Sequence, residues 1–381
     1  MLTIDDLAVS PHPAAAPILA GLSLTAAAGE ILVVLGDSGC GKTTLLRAIA
    51  GLLQPSRGRI AWGGRNLIPL PPADRGVSLI FQTGNAYDHW SVRQHLQHDL
   101  KGNSPKGSLT ADVGELLRRV DLAAQVDRYP AELSGGQLQR LSIARALASR
   151  RPILLMDEPL VHLDVRGKRP LLELVEGLRD PARAIIFVTH DLSDAMRLAD
   201  RVAILHDGSI LQAGTPAELY RRPRTVVAAD KLADEPIQLF REAPGGGLQV
   251  VCRDELRGEA GVTEETDGRL VEVRPPLVGL RPEAIAVSTV ETAASLGDAS
   301  RNETGRQARE GRRWAMGGTV ARVDFLGPSV RVEICLEGQR PHVVAILPGG
   351  QADMLTVGRA VQVSVDLSIG HRFDRLGGSA C

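Results

Sequence analysis

Residues 36–43 read Gly-Asp-Ser-Gly-Cys-Gly-Lys-Thr, a glycine followed after four residues by Gly-Lys-Thr, between an apolar run (31–35) and a helical stretch (44–50). That pattern in that context is a phosphate cradle. Gly36, Gly39 and Gly41 let successive backbone N–H groups, those of Ser38 and Cys40 included, curl around phosphate oxygens. The helix start at Thr43 and Thr44 adds its partial positive charge. Lys42 is expected to reach the β- and γ-phosphates, and the Thr43 hydroxyl to ligate Mg²⁺. Residues 153–159, Ile-Leu-Leu-Met-Asp-Glu-Pro, form an apolar strand ending in two acids. Asp157 at the strand end would complete the Mg²⁺ site, and Glu158 would act as base for an attacking water. A third segment, Leu-Ser-Gly-Gly-Gln-Leu-Gln-Arg at 133–140, reads as a helix start with Ser134 as N-cap, Gly135 and Gly136 in the turn and Gln137 behind them. It is a second anion cradle in a chain that already has one. Two cradles make sense if nucleotide is sandwiched between two copies of the protein.

The elements that must position these residues follow from the hydropathy pattern. Runs at 31–35, 77–81, 153–156, 184–188 and 202–205 are continuously apolar and of buried-strand length, with helical patterns between several of them. This predicts an α/β fold with a largely parallel sheet. From 83 to about 135 no such strand occurs, and Leu116, Leu117, Val120 and Leu122 share a helical face, so an inserted helical subdomain is expected there. After about 236 the texture changes to alternating segments at 270–273, 318–323, 330–334 and 361–365, which predicts a small all-β domain. The expected division is therefore 1–235 and 236–381, with a polar loop at about 289–312. Asn302 begins a glycosylation-type triplet that we treat as chance.

Composition agrees. The 381 residues carry 44 basic and 45 acidic side chains, a net charge of -1, and 44% are apolar, as in ordinary globular protein. Nucleic-acid binding is not expected, because it calls for a basic excess. No apolar run approaches the roughly 20 residues needed to span a bilayer, and Asp5 and Asp6 stand where a signal peptide would be basic. Cys40, Cys252, Cys335 and Cys381 are scattered and fit neither a disulfide framework nor a zinc site. Lysine is scarce, at positions 42, 101, 106, 168 and 231, so a lysine at a motif position stands out.

With these motifs in this order, residues 1–235 resemble the ATP-binding cassette (ABC) family, whose signature the 133–140 segment matches. The resemblance implies an α/β P-loop ATPase domain with an inserted helical subdomain, and ATP and Mg²⁺ as cofactors. It assigns Gln82, after Phe81, to the loop that senses Mg²⁺ and the membrane partner. Asp164 becomes the acid that crosses a dimer interface, and His190 the switch histidine that contacts the γ-phosphate and orients Glu158. Two protomers, as a homodimer or paired cassette, would close head to tail on two MgATP and reopen on hydrolysis. Residues 278–285 (Val-Gly-Leu-Arg-Pro-Glu-Ala-Ile), 318–327 and 370–374 resemble a TOBE-type regulatory domain, an OB-like barrel. The 208–220 segment is similar to the end of the cassette in the maltose, polyamine and ferric-ion importer group. Integral-membrane permeases, and indirectly an extracytoplasmic solute-binding protein, would then be partners, at the cytoplasmic face of the inner membrane. Residues 234–240 resemble the linker of sugar and glycerol-phosphate importers, with Gln238 where asparagine is usual. The alternative solutes are polyamine, ferric iron or an inorganic anion.

Some positions depart from the family's pattern. Residues 10–17 hold no aromatic side chain to stack on adenine, only His12; 86–92 lack the usual proline; His95 stands for a frequent asparagine; and His162 replaces a small residue. Other classes fit less well. A ribosome-acting ABC ATPase usually fuses two cassettes, a DNA-repair one carries coiled-coil or zinc insertions, an exporter half is fused to membrane spans, and a GTPase needs a guanine-reading segment.

Overall fold

A computed structural model describes residues 1–12, 15–81, 86–101, 109–161, 163, 165–242, 248–251, 263–266, 269–272, 277–289, 308–310, 313–336, 342–369 and 371–373. The chain divides into two compact units, Met1–Arg221 and Arg222–Cys381. Gln82, His162, Asp164, Cys252, Asn302 and Cys381, and most of the expected 289–312 loop, lie outside the described residues.

In the first unit the strands are β1 (Leu2–Val9), β2 (Leu19–Ala26), β3 (Ile31–Leu35), β4 (Arg57–Trp62), β5 (Arg65–Asn66), β6 (Val77–Ile80), β7 (Ile153–Asp157), β8 (Ala184–Thr189), β9 (Arg201–His206) and β10 (Ser209–Gly214). Its helices are α1 (Lys42–Ala50), α2 (Val92–Leu100), α3 (Leu109–Arg119), α4 (Gly135–Ala148), α5 (Val165–Glu176), α6 (Leu192–Leu198) and α7 (Pro216–Arg221). All five apolar runs are strands of one sheet, ordered β10-β9-β3-β8-β7-β6, parallel except for the β9–β10 hairpin. Every residue of β3, β7 and β8 is buried, because helices and a second sheet cover both faces. The phosphate-loop lysine, the two acids and the histidine thus sit at the carboxyl ends of three adjacent strands, where an open parallel sheet places its ligands.

The second sheet, β2-β1-β4-β5, is antiparallel and was not legible as strands. Its inward residues Leu2, Ile4, Leu7 and Val9 break strict alternation, because register shifts at Asp6, which has φ +46°, put Ile4 and Leu7 on the same face. Gly58 answers that bulge: at φ +102°, a Cβ there would lie 2.5 Å from the Asp6 carbonyl oxygen. Between the two sheets lies the main core, with Leu45, Leu46 and Ile49 of α1 at its centre. Arg75, 3% exposed, closes the C-terminal end of α1: its guanidinium donates to the carbonyls of Ala48 (2.8 Å), Ile49 (3.3 Å), Ile68 (2.9 Å) and Leu70 (2.9 Å).

Helices α2, α3 and α4 enclose a core of their own, with Val92, Leu96, Leu100, Val113, Leu117, Leu141, Ala144 and Ala148 in it. Among the described residues of that stretch no strand occurs. The helical subdomain runs further than the expected 135, since α4 supplies one of its walls.

The second unit holds helix α8 (Val226–Lys231) and strands β11 (Gln238–Glu242), β12 (Leu248–Val251), β13 (Thr263–Thr266), β14 (Arg269–Glu272), β15 (Leu277–Leu280), β16 (Ala286–Thr289), β17 (Ala308–Glu310), β18 (Arg313–Phe325), β19 (Ser329–Leu336), β20 (Val343–Pro348), β21 (Ala360–Asp366) and β22 (His371–Phe373). Among the described residues every pairing here is antiparallel. Sheets β12-β11-β15-β22 and β16-β21-β18-β19-β20 share one apolar core, built from alternate residues such as Trp314, Met316 and Val320 and Val330, Val332 and Ile334. Two boundaries differ from the expected ones. Helix α8 belongs to this unit, because Val226 and Ala229 pack on Ile237, Leu239 and Val251. Residues 308–310, expected in the polar loop, form β17 and pair with β18.

Candidate functional site

The phosphate loop leaves β3 at Gly36 and enters α1 at Lys42. Its two feet are fixed: a Cβ on Gly36 would lie 2.5 Å from the Leu205 carbonyl oxygen and 2.7 Å from Cys40 Sγ, and Cys40 itself is buried. Cys40 packs under the loop against Gly36, and burial pushes its thiol up despite the nearby Lys42 charge. Asp37, Ser38 and Gly39 arch outward, exposed, with Gly39 at φ +85°. Lys42 is 4% exposed; its Nζ donates to the carbonyls of Gly36 (2.8 Å) and Asp37 (2.7 Å) and lies 3.2 Å from Glu158 Oε1.

One residue further along α1, Thr43 Oγ1 donates to Asp157 Oδ1 at 3.1 Å, while Thr44 is half-buried in the same turn. Asp157 is buried at the end of β7. Burial raises its carboxyl pKa, the Thr43 hydrogen bond opposes the rise, and the neighbouring Glu158 charge adds to it. Glu158 holds a left-handed backbone, φ +43°, with its N–H donating to the Val188 carbonyl at 3.1 Å. That conformation turns its side chain back over the loop, so that one carboxylate oxygen meets Lys42. The other lies 3.1 Å from Nδ1 of His190, the residue after β8. The geometry therefore joins five of the expected residues, Lys42, Thr43, Asp157, Glu158 and His190, into one linked set. A hydroxyl oxygen beside a carboxylate oxygen, at the end of the strand and next to the phosphate loop, is a donor pair suited to a hard divalent cation.

Ser134 and Gln137 form a capping box at the start of α4: Ser134 Oγ accepts from the Gln137 N–H (3.3 Å) and Gln137 Oε1 from the Ser134 N–H (3.0 Å). Ser134 and Gly135 are exposed, and apart from its chain neighbours and its own helix backbone nothing lies within 4 Å of where a Cβ on Gly135 would stand, which leaves the helix N-terminus open. His12 is exposed.

Just past Gln82, Tyr87, Trp90 and His95 pack together, with Arg145 5.4 Å above the Tyr87 ring centroid. His95 is fully buried: Nε2 accepts from the Tyr87 N–H (2.8 Å) and Nδ1 donates to the Ser91 carbonyl (2.9 Å), which fixes a neutral ring. Burial lowers its pKa. The departures from the family's pattern at 86–95 are thus one packed unit. Sequence reasoning missed Lys168, Asp191 and Asp194, which stand beside His190. Lysine scarcity singled out Lys168 without giving it a role.

The ABC transporter family model matches residues 19–161 and the TOBE domain model residues 278–373. The sn-glycerol-3-phosphate import ATP-binding protein UgpC 3 of Rhizobium johnstonii is 32% identical over 351 residues, 92% of this chain and 91% of that protein. The Fe(3+) ions import ATP-binding protein FbpC 2 of Rhizobium meliloti is 42% identical over 224 residues, 58% of this chain and 56% of that one. A solved structure of the ATP binding subunit of an ABC transporter superposes with a TM-score of 0.53 at 28% identity, covering 58% of this chain and 92% of that one.

Proposed function

Since the chain belongs to the family of ABC importer ATP-binding subunits and is an ATPase, we propose that it works as a head-to-tail dimer beneath two permease subunits, hydrolysing MgATP to drive uptake of a sugar or glycerol phosphate. The observation that carries the catalytic part is the Lys42–Glu158–His190 linkage beside the Thr43–Asp157 pair.

In this reading ATP lays its phosphates on the 36–43 loop. Lys42 exchanges its two carbonyl acceptors for β- and γ-phosphate oxygens. Thr43 and Asp157, with Gln82, would hold Mg²⁺, which neutralises charge on the β- and γ-phosphates. Glu158 takes the proton from the attacking water, and His190 keeps that carboxylate aimed at it. Ser134, Gly135, Gly136 and Gln137 of the partner protomer close over the γ-phosphate, and Asp164 reaches across the same interface. Loss of the γ-phosphate removes the contact shared by both protomers, so the dimer reopens. The permeases couple that opening and closing to transport.

Glycerol phosphate is the preferred solute because the glycerol-phosphate relative aligns through both units, whereas the ferric-ion relative, though more identical, aligns over a shorter stretch. Gentle-detergent purification of the tagged chain from its own membranes, with mass spectrometry, is the test. Recovery of one or two polytopic permeases is expected, and their co-purified ATPase activity should rise with the cognate binding protein loaded with sn-glycerol 3-phosphate. Ribosomal or DNA-associated proteins in place of permeases would refute the transport role.

A further inference from the structure

His190 is 47% exposed in its side chain, yet it must stay on Glu158. What holds it is its backbone, and that backbone is pinned on both sides. Thr189 pairs with Leu35 in the sheet, and its Oγ1 accepts from the Asp191 N–H at 2.9 Å. Asp191 is the N-cap of α6: Oδ1 accepts from the N–H groups of Ser193 (2.9 Å) and Asp194 (3.2 Å). Its other oxygen, Oδ2, meets Lys168 Nζ at 2.5 Å, and the same ammonium lies 3.4 Å from Oδ2 of Asp194, which is 4% exposed.

Two carboxylates at one helix start, one of them buried, repel each other unless a cation lies between them. Burial and the Asp191 charge raise the Asp194 carboxyl pKa. Burial opposes the Lys168 ammonium too, but its hydrogen bond to Asp191 and both carboxylate charges hold its pKa above the ordinary lysine range. Without Lys168, Asp191 would turn from Asp194 and give up its cap, and the residue between Asp191 and Thr189 is His190.

We infer that Lys168 is a positioning residue for hydrolysis: from α5 it fixes the Asp191 cap and thereby holds His190 on Glu158. The inference rests on the ATPase reading above. Lys168 touches neither nucleotide nor water in this role; it acts through His190.

The test is a cycle of Lys168→Met and His190→Ala in the full-length chain, with steady-state ATP turnover followed over incubations long enough for slow variants to remain measurable. Lys168→Met should lower kcat about tenfold, the scale of a modest misplacement of a catalytic group, with KM for ATP within about twofold of wild type. Lys168→Arg, which keeps a donor for both carboxylates, should restore most of the rate. In the His190→Ala background, adding Lys168→Met should change the residual rate by less than about twofold. Equal losses in both backgrounds, or an unchanged kcat in Lys168→Met, would overturn the inference. Should Lys168→Met fail to fold, Asp191→Asn keeps the cap acceptor while weakening the lysine bond, and must reproduce the fall in kcat. A wild-type chain without ATPase activity would overturn the functional reading itself, whereas an active wild type with an unaffected Lys168→Met overturns only this step.

Discussion

Glu158→Gln isolates proton acceptance from everything else Glu158 does. The amide has the same size, its oxygen can still accept from Lys42, and its NH₂ can donate to His190 once the ring presents Nδ1 as an acceptor. The two contacts at 3.2 and 3.1 Å therefore survive in form. What disappears is the negative charge and the ability to take a proton from water. A positioned base contributes about 10²–10⁴-fold, and at 1.36 kcal/mol per decade that is about 3–5 kcal/mol of barrier. ATP binding should hold or tighten, because a carboxylate beside the γ-phosphate is gone while Lys42 remains. Phosphate release at saturating MgATP would show the loss, a fluorescent-nucleotide titration the retained affinity, and light scattering a dimer that accumulates because ATP is no longer consumed. Hydrolysis within a few-fold of wild type would remove Glu158 from the chemistry. A protein that stays monomeric at saturating ATP would contradict the sandwich while leaving the base assignment standing.

Arg75→Met should cost about 3–5 kcal/mol by removing the guanidinium donor from the carbonyls of Ile49, Ile68 and Leu70 and leaving Ala48 only the Gly51 N–H, a drop of roughly 10 °C in Tm for a domain of this size. ATP affinity of the protein that remains folded should be unchanged; an unchanged Tm would refute the clamp. His95 gives a pH dependence whose sign is fixed by its neutral ring. Burial lowers its pKa in the folded chain, with Arg145 and His89 opposing protonation and Asp99 favouring it. The unfolded chain therefore binds the proton first as pH falls. His95 contributes its full stability above about pH 6.5 and loses it as the pH falls through the lower folded value, with a slope of at most about 1.4 kcal/mol per pH unit. Urea melts between pH 7.5 and 5 should show that slope, and His95→Asn should flatten it; an equal slope in both would refute the assignment.

The strands carrying the site were legible because strands buried on both faces read as unbroken apolar runs, and Gly36–Thr43 and Asp157–Glu158 fall at their ends. The alternating second unit was legible for the complementary reason, since strands covered on one face carry period-two patterning. The N-terminal sheet was hidden by its bulge: once Ile4 and Leu7 share a face, the period that would announce a strand is lost. Lys168 was invisible in another way. Its partners are brought together by the packing of α5 on α6, and no spacing along the chain encodes that meeting. His190 was assigned from the resemblance, and its position beside Glu158 depends on two parallel strands, β7 and β8, being neighbours in the sheet.

Glu158 stands with φ at +43°, a backbone that glycine adopts freely and glutamate does not. A side chain in that region costs about 1–2 kcal/mol relative to glycine, so the residue proposed as the base is also one at which the fold would gain by losing it. A population of variants screened for heat resistance alone should drift toward glycine or asparagine at 158 and arrive at well-folded chains that hold nucleotide and never turn it over. Selection for durability and selection for work therefore pull this position in opposite directions.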